Sequence, residues 1–381
     1  MKETPFIEAL DCLNGRHVKV NPTNGLSALS KDPPVSDNTL FAGPGLVDLQ
    51  VNGVNGIDFN DTSLSEEGLL NATKFLLTQG VTTFLPTIIT NSSESICQLL
   101  ATINKACMRN ELLDQCIGGI HLEGPFISKE DGARGAHDKK YVKAPDWELF
   151  LRFQEAAGNR IKLITLSPEW DNSAEFIARA VKSRVLVSIG HSLASPQQIQ
   201  KAVDAGATLS THIGNAVPLM LPRHPNIIWD QLAQDALSCS FIADGFHLPN
   251  SFMKVVIKAK GNNCFLVSDS TSFTGMKPGV YDTHIGGKVK LEADGRLSME
   301  GGNGLLAGAA MTLLQNVECL VTHQVASLSQ AWKMASVIPD SLMNTYKEPN
   351  KLAWEDAVIF TFEEKINVQK VYKNGALAFE T

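Results

Sequence analysis

Short apolar runs alternate with amphipathic segments along most of the chain. From Gly45 onward, eight runs have the length of a β-strand, and polar or helix-period sequence separates them. The runs are GLVDLQV, VTTFLPTII, CIGGIHLE, IKLITLSP, RVLVSIGHS, ATLSTHIG, LSCSFIADG and CFLVSDS. Strands that are apolar on both faces, each followed by a helix, are typical of parallel βαβ units. Eight such units predict a (β/α)8 TIM barrel, an α/β fold.

The segments between the runs carry helix signals. SLSEEGLLNATKFLLTQG has acidic residues in its first turn and ends at Gly80. SPQQIQKAVDAG begins with Ser195 as a predicted N-cap, has Pro196 at the first helical position and ends at Gly206. An open doubly wound sheet is the alternative. Its GxGxxG turn after the first strand is absent from the sequence, because VNGVNG does not fit that spacing.

The two ends of the chain follow a different pattern. The first forty residues contain short β-prone pieces with turns, and the last thirty contain VIFTF and KVYKNGALAF, where KNG is a hairpin turn signal. We expect these ends to pair as one small β-sandwich domain that is discontinuous in sequence. The predicted boundaries are 1–43 plus 352–381 for the β-domain and 44–351 for the barrel.

Polar side chains cluster where the predicted strands end. In a (β/α)8 barrel, catalytic groups lie at the C-terminal ends of the strands. The polar residues at or just after those ends are Asp48, Gln50, Asn52, His121, Glu123, His191, His212, Asn215, Asp244, His247 and Asp269. A single strand-end histidine is more often structural than functional. Five of the eight strands end in or just before His, Glu or Asp, which indicates one shared site at this rim.

The set has the chemistry of a metal site. A carboxylate and two imidazoles are a usual three-ligand shell for Zn²⁺ or a related divalent ion. Three protein ligands leave one position for water, whose pKa the ion lowers. A further carboxylate is then needed to move the water proton, and Asp269 suits that role.

Composition narrows the range of partners. The chain has 381 residues, a net charge of −7 and no basic run, which argues against nucleic acid or an anionic membrane as a partner. The N-terminus does not resemble a signal peptide, and no apolar stretch approaches the ~18 residues that a membrane span needs. Seven cysteines without a CxxC pair favour a reduced, cytoplasmic setting.

Together, the motifs resemble those of a known family. GPGLVDLQVNG, HLEGPF, RGAH, GHS, STHIGNAVPLM, ADGFHL, LVSDSTSFTGMKPGVY and LAGAAMTL are similar to the successive motifs of N-acetylglucosamine-6-phosphate deacetylases, in the amidohydrolase superfamily. They occur in the family's order, and the terminal β segments fit its small β-domain. The resemblance implies one divalent metal ion, with Zn²⁺ preferred and Fe, Co or Mn as alternatives. It also implies a phosphorylated amino sugar as the small-molecule substrate.

The resemblance assigns roles residue by residue. It places the metal ligands on Glu123, His191 and His212, the catalytic aspartate on Asp269, and a histidine near the acetyl carbonyl on His137. The residues that it places at the substrate are Asn215, Ala216, Arg223, His247, Leu306 and Ala307. Arg223 would reach the phosphate from the neighbouring subunit, which implies a homodimer.

Two positions depart from the superfamily pattern. Many members carry His-x-His at the end of the first strand and bind two metal ions, whereas this chain has Gln50 and Asn52. Neither side chain is a strong Zn²⁺ ligand, which favours a single metal. Arg134 stands in the RGAH element where the family usually has a lysine. Two late elements of the family are also altered, to IPDS and WEDA in this chain. These elements bear on the packing between the barrel and the β-domain and not on the chemistry.

The reaction implied is hydrolysis of N-acetyl-D-glucosamine 6-phosphate to acetate and D-glucosamine 6-phosphate, within amino-sugar catabolism. Asp269 would transfer the proton, and His137 would stabilise the oxyanion.

One alternative is an N-acetylgalactosamine-6-phosphate deacetylase, because a single epimeric hydroxyl separates the substrates. A dihydroorotase is less consistent with the missing His-x-His. A second alternative is a non-catalytic amino-sugar-binding barrel, which would not need a complete ligand set. We interpret Phe126, Met220 and Trp229 as packing residues, and His121 as a structural neighbour of the site.

Overall fold

The central sheet of the chain is a parallel eight-stranded barrel. The structure is a computed structural model that describes residues 6–21, 25–28, 39–283, 287–301, 305–344 and 355–381. The barrel strands are β1 Leu46–Val51, β2 Val81–Ile89, β3 Ile120–Glu123, β4 Ile161–Leu166, β5 Leu186–Ile189, β6 Leu209–Ser210, β7 Ser238–Phe241 and β8 Cys264–Leu266. They are hydrogen-bonded in chain order from β1 to β8. The predicted (β/α)8 barrel is therefore confirmed, and each of the eight apolar runs contains one strand.

The seam between β1 and β8 closes through side chains and isolated backbone contacts. Val51 forms a parallel bridge with Ser270, and the backbone N–H of Asp269 donates to the carbonyl of Gln50 at 3.0 Å. Lower in the seam, the Asp48 carboxylate accepts from the backbone N–H of Ser268 at 3.1 Å. Burial raises the pKa of Asp48 to about 7. The first and last strands are thus held together directly beneath the polar rim.

The helices of the described residues follow the strands. They are α1 Glu66–Thr78, α2 Ser93–Arg109, α3 Glu111–Cys116, α4 Trp147–Ala156, α5 Ser173–Lys182, α6 Pro196–Asp204, α7 Ile227–Leu232, α8 Asn250–Lys260, α9 Leu313–Thr322, α10 Leu328–Ala335 and α11 Val337–Met343, with 3-10 turns at Lys139–Tyr141 and Gly261–Asn263. The predicted cap of α6 is present as a capping box between Ser195 and Gln198. The third predicted strand is shorter than its apolar run, because α3 extends to Cys116 and its last turn accepts the N–H of Ile117.

The barrel interior changes from apolar to polar toward the C-terminal ends of the strands. One buried layer is formed by Val47, Leu49, Leu85, Leu163, Leu186, Leu209, Ile242, Phe265, Val267 and Ala309. Two residues further along several strands, hydroxyls replace the apolar groups. His121 Nε2 lies 2.7 Å from Thr165 Oγ1, which lies 2.7 Å from Thr211 Oγ1. This hydrogen-bonded layer forms the floor of the candidate site.

The two ends of the chain pair in one seven-stranded sheet. Its strands are, in spatial order, Ala376–Glu380, Ile366–Lys373, Ala357–Phe362, Phe41–Pro44, Ile7–Asp11, His17–Asn21 and Gly25–Ala28. The N-terminal and C-terminal segments join where Ala357–Phe362 runs antiparallel to Phe41–Pro44. The expected discontinuous β-domain is therefore confirmed. The predicted boundary at 43/44 falls within the strand Phe41–Pro44 and stays a prediction, and the boundary at 351/352 lies outside the described residues.

The sheet packs on the barrel through one alternating face. Val358 and Phe360 belong to the large core cluster, while Ile359 belongs to a smaller cluster on the other face. Trp332 of α10 stacks on Phe360 with ring centroids 4.4 Å apart and donates its indole N–H to the carbonyl of Pro44 at 2.9 Å. A Cβ on Gly43 would lie 2.5 Å from the Trp332 ring, so glycine permits this close approach.

Two smaller antiparallel elements complete the described fold. Gly53–Val54 pairs with Ile57–Asp58, and a three-stranded sheet follows β8, formed by Gly279–Asp282, Lys288–Leu291 and Leu297–Met299. Within the described residues, no helix combines the length and the apolar character that crossing a bilayer requires.

Candidate metal centre

Three buried side chains converge at the C-terminal rim of the barrel. Glu123 is the last residue of β3, and His191 and His212 follow β5 and β6. Both histidine Nε2 atoms lie 3.2 Å from Glu123 Oε1, and they lie 3.1 Å from each other. Each side chain is at least 92% buried. Among the described residues, these three side chains form a group that could hold a metal ion.

The triangle of ligand atoms has the size that a tetrahedral metal ion requires. Ligand bonds of about 2.0–2.1 Å at tetrahedral angles place neighbouring ligand atoms about 3.3 Å apart. Burial by itself would raise the pKa of Glu123, but the close contacts from His191 and His212 outweigh it and hold that pKa well below its usual range. An ionised carboxylate facing two imidazole nitrogens is the donor set expected for a divalent cation.

The orientation of His191 is fixed from behind. Its Nδ1 lies 3.2 Å from the carbonyl of Ala133 and 3.3 Å from that of Arg134. A carbonyl can only accept, so Nδ1 carries the proton and Nε2 presents a lone pair to the centre. The Nδ1 atom of His212 is buried without a hydrogen-bond partner among the described residues.

Three of the site residues have unusual backbone conformations. His191 has φ of +49°, His212 of +29° and Asp269 of +49°, in the left-handed region that non-glycine residues seldom adopt. Such residues persist where surrounding contacts hold them, and they are concentrated at functional sites. The backbone turns here aim each side chain over the barrel mouth immediately after its strand.

Asp269 and Asn52 form a hydrogen-bonded pair just after β8 and β1, and Asp269 is close enough to Glu123 and His212 for their charges to affect it. The Asn52 amide donates to Asp269 Oδ1 at 2.8 Å. The pKa of Asp269 is raised to about 6, mainly by burial and next by the charge of Glu123, although His212, His247 and the Asn52 hydrogen bond act to lower it. A carboxylate with a pKa near neutrality is suited to accept a proton and then release it.

Gln50 and Asn52 act as hydrogen-bond donors. The Gln50 amide donates to Glu123 Oε1 at 2.8 Å, and Asn52 holds Asp269 as described above. Both side chains therefore orient carboxylates at positions where the His-x-His pattern would place metal ligands. This use of the two amides agrees with the interpretation of a single metal ion.

His137 lies against the metal triangle. Its ring centroid is 4.3 Å from that of His191, and its side chain is buried. Burial lowers the pKa of His137 to about 3, so the ring is neutral. The backbone N–H of Thr90 points to Nδ1 at 3.4 Å, and the Thr90 hydroxyl lies 2.8 Å from the same atom. Because a backbone N–H only donates, Nδ1 is the acceptor and Nε2 carries the proton.

The loop after β6 contains two of the residues expected at the substrate. The backbone N–H of Asn215 donates to the carbonyl of His212 at 3.0 Å, which ties this loop to a candidate ligand. The side-chain nitrogen of Asn215 is buried and has no partner among the described residues. Ala216 has φ of +50°. The unsatisfied amide is therefore available to a bound molecule.

His247 is paired with Asp244, a residue to which the sequence analysis gave no role. His247 Nδ1 lies 2.7 Å from Asp244 Oδ2, and Asp244 Oδ1 accepts from the backbone N–H groups of Phe246 and His247 at 2.9 Å each. Burial opposes ionisation of Asp244, but the His247 hydrogen bond prevails and lowers its pKa. The spacing Asp-x-x-His in ADGFH was the available sequence signal for this pair.

The remaining predicted residues form no hydrogen bond or ion pair with the triangle in the described part of the chain. Leu306 and Ala307 are half-buried, and the backbone of Ala307 donates to Leu297 at the three-stranded sheet. Arg223 is exposed and has no ion pair within the described part of the chain. The structure thus brings together Glu123, His191, His212, Asp269 and His137, whereas Arg223 is exposed and has no contact with them among the described hydrogen bonds and ion pairs.

Three residues interpreted as packing residues have different environments. Phe126 is fully buried, which confirms that interpretation. Met220 is 87% exposed, so the interpretation as a packing residue is wrong for it. Trp229 is 50% exposed, so only part of its side chain packs against the protein. Met220 lies in the loop after β6, where the described part of the chain leaves it exposed. His121 is not part of the triangle, and burial lowers its pKa to about 4, as expected for a structural histidine.

Comparison with known proteins defines the class of this fold and site. The model of the amidohydrolase family matches residues 41–378, which is most of the chain. The chain therefore belongs to the amidohydrolase family, whose members depend on a metal ion.

Within that family, the similar proteins share one name. N-acetylglucosamine-6-phosphate deacetylase from Lysinibacillus sphaericus is 30% identical over 90% of this chain and 86% of its own length. The Bacillus subtilis (strain 168) protein of the same name is 35% identical over 67% of this chain, and the match spans 65% of that relative. The crystal structure of the Thermotoga maritima protein of that name superposes with a TM-score of 0.82 at 27% identity, covering 98% of this chain and 99% of the other. The resemblance to N-acetylglucosamine-6-phosphate deacetylases is thereby confirmed.

Proposed function

We propose that the chain hydrolyses the acetamido group of N-acetyl-D-glucosamine 6-phosphate to acetate and D-glucosamine 6-phosphate. The observation that supports this most strongly is the buried triangle of Glu123, His191 and His212 beside Asp269, in a chain whose relatives carry that activity in their names. A non-catalytic binding barrel would have no use for a carboxylate with a raised pKa next to a complete ligand set.

Glu123, His191 and His212 would hold one divalent cation, for which we propose Zn²⁺. Two imidazole nitrogens and one carboxylate oxygen fit Zn²⁺, with Fe²⁺, Co²⁺ and Mn²⁺ as possible substitutes. When bound, such an ion acidifies a water molecule and polarises a carbonyl. The Gln50 amide keeps Glu123 turned toward the two histidines.

Asp269 would carry the proton through the reaction. As water attacks the acetyl carbonyl, Asp269 accepts a proton from it and then donates that proton to the leaving sugar amine. Its pKa, raised to about 6 by burial, allows both steps near neutral pH. The hydrogen bond from Asn52 fixes one oxygen of the carboxylate and leaves the other for the reaction.

His137 would stabilise the charge that develops on the acetyl oxygen. The contact between Thr90 N–H and Nδ1 leaves the proton on Nε2, so the neutral ring is a donor. A donor held by the protein before the reaction favours the tetrahedral oxyanion over the flat amide. The edge-on packing of His137 against His191 keeps this donor beside the candidate metal ligands.

The phosphate group of the substrate requires binding residues other than the triangle of Glu123, His191 and His212. We propose that Asn215, Ala216 and His247 contact the substrate in the same subunit, with Leu306 and Ala307 lining the sugar. Arg223 would reach the phosphate of a neighbouring subunit in a homodimer, which its exposure and its lack of an ion pair in the described residues support. A cytoplasmic location is consistent with all seven cysteines being free.

Acetate release tests this function directly. The metal-loaded wild type should release acetate from N-acetylglucosamine 6-phosphate, and Asp269→Asn should retain the metal while turnover falls by about 10²–10⁴-fold, as expected for loss of a general acid–base group. Asp282→Asn, on the three-stranded sheet, is a matched control and should retain activity. Full activity of Asp269→Asn would show that another group moves the proton.

A further inference from the structure

The carboxylate of Glu169 connects three separate segments around the candidate metal ligand His191. Glu169 lies three residues after β4, in the sequence SPEW, and is half-buried. It accepts from Ser128 Oγ at 3.3 Å, Ser192 Oγ at 3.3 Å and the backbone N–H of Leu193 at 2.9 Å, and from Ser167 Oγ at 2.5 Å. Four donors therefore point to one side chain.

All of these donors are neutral. Within the described residues, Glu169 has no ion-pair partner. A carboxylate that accepts several neutral hydrogen bonds forms stronger bonds than an uncharged acceptor would, because the acceptor is ionised. The Glu169 carboxylate thus holds one backbone N–H group and three serine hydroxyls in place.

The donors flank His191 on both sides. Ser192 and Leu193 follow it directly in sequence, and Ser128 donates its backbone N–H to the carbonyl of His191 at 2.9 Å. The Glu169 carbonyl also accepts from the side chain of Gln198, the capping-box residue at the start of α6. The short segment between β5 and α6 is therefore tied to Glu169 at both ends.

His191 needs such support because its backbone is strained. Its φ of +49° costs on the order of 1 kcal/mol or more for a residue with a side chain, and surrounding contacts must offset that cost. Without the Glu169 contacts, the segment could relax to an ordinary conformation, and the imidazole would turn away from Glu123 and His212.

We propose that Glu169 is a positioning residue for metal binding, which acts through the His191 segment without touching the ion. The inference rests on the metal site of the proposed function. Partners outside the ligand shell commonly change metal affinity by about 10–100-fold when they are removed. For Glu169, which acts one step further from the ion, we expect about tenfold.

The test is metal affinity in three variants. Glu169→Ala, Glu169→Gln and the control Glu175→Ala are compared with wild type by Zn²⁺ competition against a chelator. Glu175 is a good control because it lies exposed on the neighbouring helix α5, 3.9 Å from Arg179. Glu169→Ala should bind Zn²⁺ about tenfold more weakly, Glu169→Gln should lose less because its amide oxygen can still accept from Leu193, and Glu175→Ala should match wild type.

A Co²⁺ spectrum separates positioning from general stability. Loss of support for His191 should change the visible absorption of the Co²⁺-loaded Glu169→Ala protein, whereas a variant that is only less stable would keep the wild-type spectrum. Wild-type Zn²⁺ affinity and an unchanged Co²⁺ spectrum in Glu169→Ala would overturn the inference. If wild type itself binds no stoichiometric metal, the proposed metal site fails, which is a different outcome.

Discussion

Removal of the Asn52 amide should shift the acid limb of the pH profile of kcat/KM for acetate release to higher pH. Asn52 donates to Asp269 Oδ1 at 2.8 Å and so favours the ionised carboxylate. A hydrogen bond to a charged group contributes about 1.5–3 kcal/mol, and one pKa unit corresponds to about 1.4 kcal/mol. Asn52→Leu, which keeps a similar volume, should therefore raise the pKa of Asp269 by about 1–2 units.

The sign of the effect follows from the role of the base. Asp269 accepts a proton only when it is ionised, so activity falls as pH drops through its pKa. In wild type, this fall is expected at or below about pH 6, since a bound cation moves the pKa downward from the value raised by burial. In Asn52→Leu, the fall should begin about 1–2 pH units higher, while activity on the alkaline plateau changes much less.

The assay is kcat/KM for acetate release between pH 5 and 9, with metal content checked at each end. Asn263→Leu, an exposed change far from the rim, serves as the control and should leave the profile unchanged. A folded, metal-loaded Asn52→Leu protein with an unshifted acid limb would refute the view that Asn52 sets the proton affinity of Asp269.

Three further changes test other parts of the account. Glu123→Gln should remove most of the bound metal, measured by elemental analysis, because a neutral amide is a poor Zn²⁺ ligand; wild-type content would contradict the ligand assignment. Trp332→Ala should lower the free energy of unfolding by about 3–5 kcal/mol in urea titrations, whereas the half-exposed Trp229→Ala should cost less than about 1 kcal/mol. Arg223→Ala should raise KM for the phosphorylated sugar far more than for free N-acetylglucosamine, and equal effects would exclude a phosphate contact.

The barrel was predictable because its signal repeats. Eight apolar runs with intervening helix signals leave few alternative folds, and helix caps such as Ser195 follow from local chemistry. The position of the third strand was less accurate, since an apolar run such as residues 117–119 does not reveal that α3 ends beside it. The periodicity of apolar residues and the composition therefore predict the architecture more accurately than they predict where each strand or helix begins and ends.

The candidate site was predictable only in part. Strand-end residues such as Glu123 could be found because parallel strands bring their C-terminal ends together. The contacts of Glu169 with Ser128 and Ser192 join side chains of different loops, and no periodic pattern encodes such distances. Met220 shows the opposite failure, because an apolar residue type does not reveal whether the same chain buries it.

The central claim is that a single metal ion at Glu123, His191 and His212 is required for deacetylation. Its most direct test is titration of the chelator-treated protein with Zn²⁺ while acetate release from N-acetylglucosamine 6-phosphate is measured. Activity should be absent without metal, rise linearly and saturate near one Zn²⁺ per chain, and fail to return in His212→Ala. Full activity in the metal-free protein, or saturation only near two ions per chain, would contradict the account.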